Sequence, residues 1–170
     1  MAKHERSRYE LIAIGFEKVG VRLFRLEDGV VNQRPADQYG FVLGENRVDA
    51  GKLVYIETKE VYKKKECQVF TKQIFDSLSD NQQLCLYVAA KNKCHVLIAV
   101  YCQEDSCLYL WKLEGSFKTI GNLPYKICAE KKTGGSGVDK YSFFDIKLEE
   151  LQRIGMCVPR EDTKTLWEKL

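Results

Sequence analysis

The stretch Leu53-Val-Tyr-Ile-Glu57-Thr-Lys59 is an apolar run that ends in an acid and a lysine two residues apart. A β-strand alternates its side chains between two faces, so Glu57 and Lys59 are expected to project from the same side. A carboxylate beside an ammonium at the end of a buried strand is costly unless both have something to bind. A fold for this chain therefore has to bring further polar partners to that strand end.

With 170 residues, 45% of them hydrophobic, the chain is long enough for one domain with a proper core. Charged residues make up 30%, and no apolar run approaches the ~18 residues of a membrane span. The segment Met1-Ala-Lys-His-Glu-Arg has no apolar h-region, so no secretory signal is expected. A net charge of +3 permits a polyanionic partner without requiring one. The seven cysteines include no CxxC pair and have two histidines to help them, which argues against structural zinc. Cys85, Cys94 and Cys102 fall inside apolar runs and read as buried free thiols. Together with the missing signal they point to a reducing cytoplasm.

Residues 5–19 read as an amphipathic helix, with Tyr9, Ile12, Phe16 and Val19 at helical spacing and Gly20 as the stop. Strands follow at about 21–26, 38–43 and 52–60, separated by glycine-containing turns. A helix over about 84–91 is capped by Ser79 or Asp80. Residues 95–102 are near-continuously apolar, as in a strand buried on both faces, and His95 reads as structural. A further strand spans about 107–113. Beyond it, Lys131-Lys-Thr-Gly-Gly-Ser-Gly137 reads as a loop, 143–146 as a short strand and 148–151 as a short helix. Leu166 and Trp167 would anchor a terminal helix. The tyrosines and phenylalanines fall mostly in strand patterns and read as core. The expected architecture is α+β, a mixed central sheet flanked by helices (α/β/α). It forms a single domain over 1–170, with a core at about 5–113 and an elaboration at about 114–170.

If strands two and three form a hairpin centred near residue 48, Asp37 comes to lie across from Lys59 and close to Glu57. Paired carboxylates collect a hard divalent cation such as Mg²⁺. Such an ion stabilises charge on a phosphate, and a lysine beside it orients a water or offsets developing charge. No Ser/His/Asp order or reactive-cysteine signature competes with this constellation.

Pro35-Ala-Asp37, some twenty residues before Glu57-Thr-Lys59, resembles the PD-(D/E)XK nuclease superfamily. The helix carrying Arg8-Tyr-Glu10-Leu and ending at Gly20 looks like the opening of its Holliday-junction-resolvase-like members. Gln82 and Gln83 stand where many members carry a glutamine, and the likeness covers roughly residues 5–113. It implies the order α-β-β-β-α-β of a restriction-endonuclease-like core that cleaves DNA with Mg²⁺, for which Mn²⁺ substitutes. Asp37 and Glu57 would hold the metal with the backbone carbonyl of Thr58, Lys59 would position the water, and Glu10 would assist. Asp49, eight residues before Glu57, is an alternative metal aspartate, and Glu45 is a third option. Lys63, Lys64 and Lys65, Gln82 and Gln83, and Lys131 and Lys132 are candidate DNA contacts. Cutting both strands with one site per chain implies a homodimer or higher symmetric oligomer. The competing expectations are a nuclease-like domain that only binds nucleic acid or protein, and a regulatory α+β domain.

Overall fold

The computed structural model describes residues 7–26, 36–65, 78–113 and 126–160. Among them the chain runs α1 (Arg8–Lys18), β1 (Val21–Arg25), β2 (Gln38–Val42), β3 (Leu53–Val61), α2 (Asp80–Lys91), β4 (His95–Cys102) and β5 (Cys107–Lys112). It continues with β6 (Lys126–Gly134), a 3₁₀ turn (Gly137–Asp139), β7 (Tyr141–Phe144) and α3 (Leu148–Arg153). The expected strand at 143–146 begins and ends two residues earlier, and Leu166 and Trp167 lie outside the described residues. The strands form one seven-stranded mixed sheet in sequence order. β3 and β4 are parallel and every other neighbouring pair is antiparallel. The chain is thus α+β, with helix α2 making the crossover that the parallel pair requires.

Alternation assigns each strand residue to a face. Val54 and Ile56 pack with Leu11, Ile12 and Phe16 of α1, Leu97, Ala99, Leu108 and Leu110. Val61, Val96, Ile98, Val100, Tyr109 and Trp111 point the other way, against Leu86 of α2. β4 is buried along nearly its whole length because both faces are covered. Ser79 rather than Asp80 caps α2. Its hydroxyl accepts from the Gln82 N–H, and the Gln82 side chain returns to the Ser79 N–H.

The stretch 131–137 was expected to be a loop, but Lys131–Gly134 form the outer half of β6, paired with β7. Inward residues Ile127 and Ala129 carry the burial there, so the strand needs no apolar residues further out. Residues expected as an elaboration, among them Phe144, Ile146, Leu151 and Met156, join the same buried cluster as α1. Gly15 makes this contact possible, since a Cβ there would collide with the Phe144 carbonyl. The last described segment is tied to the β2–β3 turn, Val48 N–H donating to Val158 O at 2.8 Å and Arg160 N–H to Asn46 O at 2.6 Å.

Candidate active site

The β2–β3 register places Gln38 opposite Ile56, so the hairpin axis falls at residue 47. Continuing that register by one residue sets Asp37 opposite Glu57, not Lys59 as a centre near 48 required. The difference arises in the turn. Asn46 and Arg47 follow Gly44, the Arg47 N–H bonds to Gly44 O, the Ala50 N–H bonds to Arg47 O, and Gly51 takes a left-handed φ of 79°. Only glycine adopts that conformation without strain. Hydrophobic periodicity carries no information on such turn geometry.

Asp37 and Glu57 are both buried, 4% and 3% exposed. By alternation they share the α2 face of the sheet with Lys59, whose Nζ lies 3.7 Å from Glu57 Oε1 with 35% of its side chain exposed. The Asp37 carboxylate is fixed by the backbone, because Thr58 N–H donates to its Oδ2 at 2.8 Å. β2 ends here: the Asp37 side chain takes the place of the next ladder carbonyl, while its own carbonyl accepts from Leu26 N–H at 2.9 Å. N–H and C=O of one strand residue point to the same side, so the Thr58 carbonyl is directed into the same opening between β2 and β3. Ala36 packs with Leu78, Val61 and Leu86, which seats the start of α2 beside this opening.

Asp49 is placed elsewhere. Its Oδ2 lies 2.7 Å from His95 Nε2 and accepts from Cys157 N–H at 2.8 Å. His95 is in register with Val54, three residues along β3 from Glu57, which is about 10 Å. It also belongs to the α1 face, so Asp49 is not brought to Glu57. Sequence reading missed the Asp49–His95 bond because the two are far apart in the chain. Burial pushes the His95 imidazole down to about 4, against the opposing pull of the Asp49 bond. Burial likewise pushes the Cys157 thiol up to about 11. A neutral imidazole and an un-ionised thiol make this cluster a clamp on the C-terminal segment, not a nucleophilic centre.

Glu10 is exposed on the first turn of α1, the helix covering the opposite face of the sheet from Glu57 and Lys59. The structure does not bring it to the acid pair. Glu45 is exposed in the β2–β3 turn. Gln82 completes the capping box, and Gln83 Nε2 donates to Leu78 O at 3.1 Å, so both glutamines serve the start of α2. Lys63, Lys64 and Lys65 are exposed directly after β3. Lys131 and Lys132 are three strands away from β3, roughly 14 Å across the sheet, and Lys132 pairs with Asp145 at 2.8 Å. Pro35 lies outside the described residues. Among the described residues, no group of three or more His, Cys, Asp or Glu side chains is gathered as a metal would need.

Reading the aromatic residues as core fails at Tyr62, 66% exposed just after β3, and on β1 and β2. Phe24 and Phe41 are 44% and 37% exposed, and with Tyr39 they form a row on the open face of β1 and β2. Alternation could have separated them from Leu23 and Val42, which face inward. It could not have told which face a helix covers. Among the described residues no helix is long and apolar enough to cross a membrane. No family model, curated protein or solved structure matches the chain.

Proposed function

We propose that the chain is a metal-dependent DNA endonuclease with a restriction-endonuclease-like core of PD-(D/E)XK type. One observation carries this reading: Asp37 accepts from the N–H of Thr58, the residue after Glu57, at 2.8 Å, and Lys59 Nζ lies 3.7 Å from Glu57 Oε1, where β2 parts from β3. The order α-β-β-β-α-β with β3 and β4 parallel supports it. The donor set of Asp37, Glu57 and the Thr58 carbonyl is all oxygen, which fits a hard cation such as Mg²⁺ or Mn²⁺ completing its shell with water. Bound there, the cation supplies Lewis-acid polarisation of the phosphodiester.

The protein's own groups supply the rest. Thr58 N–H holds Asp37 in orientation, and both carboxylates are buried beside the strand end. Lys59, a third in solvent and on the same face, orients the attacking water and offsets charge developing on the phosphate. Lys63, Lys64 and Lys65 continue from the same strand and are placed to meet flanking phosphates. One such constellation per chain makes a symmetric homodimer the expected form for cutting two strands. The free thiols fit a reducing cytoplasm.

The test is cleavage of supercoiled, linear and branched DNA by purified protein with Mg²⁺, with Mn²⁺ and with chelator. Metal-dependent cutting that disappears in Lys59→Ala and Glu57→Gln is expected, and undiminished cutting by Lys59→Ala would sink the assignment. The small donor set favours one second reading, a nuclease-like domain that binds nucleic acid or protein without cleaving. Calorimetric titration with Mn²⁺ separates the two, since only the nuclease requires heat of binding that Glu57→Gln removes.

A further inference from the structure

Helix α2 packs against β3, β4 and β5, and among the described residues no helix lies on the same face of β1 and β2, where the exposed Phe24 and Phe41 and the half-buried Tyr39 lie side by side. Phe24 of β1 is in register with Tyr39 of β2, their ring centroids 5.6 Å apart. Phe41, two residues along β2, meets Tyr39 edge-on at 6.5 Å. Single exposed apolar residues are ordinary on protein surfaces, but a contiguous aromatic patch marks a place where something binds.

Its position says what. Tyr39 and Tyr55 are in register, and one further pair of residues along the same two strands stand Asp37 and Glu57 on the same face. The step is about 7 Å, roughly the reach of an extended nucleotide. The row is flanked by cations on both sides. Arg22 is in register with Phe41, and Lys59 lies beyond Glu57. Arg22 pairs with Glu17 at 3.8 Å, and both side chains are more than half exposed, so an incoming phosphate can compete for the guanidinium. Intact duplex offers phosphates and hides the faces of its bases, so it has no use for exposed rings. An unpaired base offers a π-face that stacks on an aromatic side chain whatever its identity.

We propose that Phe24, Tyr39 and Phe41 form a stacking platform for unpaired nucleobases beside the scissile phosphate. The substrate class is then DNA with a single-stranded stretch at the cut, such as a tail, flap or branch, rather than uninterrupted duplex. This rests on the nuclease reading of Asp37, Glu57 and Lys59, and it names the substrate of that site.

Binding is measured by fluorescence anisotropy without divalent metal on three DNAs: a blunt duplex, the same duplex with a single-stranded tail, and the same duplex with an abasic tail. The proteins are wild type and the double variant Phe24→Ala/Phe41→Ala, compared below the melting temperature measured for each. The tail is expected to tighten binding about tenfold in wild type, the abasic tail not at all, and the double variant to lose the gain. Equal binding of the normal and abasic tails, or an unchanged preference in the double variant, overturns the platform. So does a double variant that keeps the tail preference but loses self-association in sedimentation, which would assign the rings to a contact between copies. A tail preference without Mg²⁺-dependent cutting retains the platform and removes the nuclease reading. Cutting of blunt duplex that the double variant leaves unchanged removes the platform and retains the nuclease.

Discussion

Lys59 keeps a third of its side chain in water while its ammonium faces a carboxylate that is almost wholly buried. Truncating it therefore removes a charge from the opening between β2 and β3 without emptying the core. On the proposed nuclease reading, Lys59→Ala is expected to lower the cleavage rate about 100-fold or more with an unchanged melting temperature. Lys59→Arg should recover little, since a planar guanidinium does not replace a compact ammonium. His95 makes a separate prediction. Burial lowers its pKa from 6.5 to about 4, so between those values the unfolded chain takes up a proton that the folded chain refuses. The contribution is complete above pH 6.5 and is lost as pH falls towards 4, by about 3 kcal/mol in all. Urea denaturation at closely spaced pH values should show that slope, and His95→Gln should flatten it. A wild-type profile flat between pH 6.5 and 4 would refute it.

Among the elements, α2 depends on its first turn. Ser79→Ala removes one half of the capping box and should cost about 1 kcal/mol of stability by urea denaturation. Gly15→Ala sets a methyl against the Phe144 carbonyl where α1 meets β7, and should cost roughly 1–3 kcal/mol in the same assay. A neutral effect would mean that α1 can shift on the sheet. Elements of this kind were legible where apolar periodicity and glycine punctuation agreed, as in α1, β3 and β4. β6 was not, because beyond Ala129 its residues are polar and only pairing with β7 makes them a strand. The acid pair was legible in kind but not in register. Glu57 and Lys59 follow from alternation, whereas the partner across the hairpin depends on the turn at Gly44, Arg47 and Gly51. The exposed rings of Phe24 and Phe41 were hidden for a third reason, that a strand's pattern does not record which of its two faces is covered.

At the scale of the whole molecule, α1 packs on both β1 and β7, the first and last strands of the sheet, and Lys18 Nζ donates to the Tyr141 hydroxyl at 3.1 Å. Phe144, Ile146 and Met156 finish the cluster that Ile12 and Phe16 begin. A chain ending at Leu113 would retain every residue of the acid pair and yet lack that cover. It is expected to show no cooperative thermal transition by circular dichroism, and a sharp one would mean that the α1 side of the sheet closes unaided. The clasp also sets an order of events during synthesis. The strands that carry Asp37 and Glu57 leave the ribosome before β7, and the helix made before them cannot complete the burial of its apolar side until β7 has followed. Contacts between such distant parts of a chain form slowly. Until β7 is made, the nascent sheet is therefore covered only in part on the α1 side, and its exposed apolar residues are open to contacts with other chains.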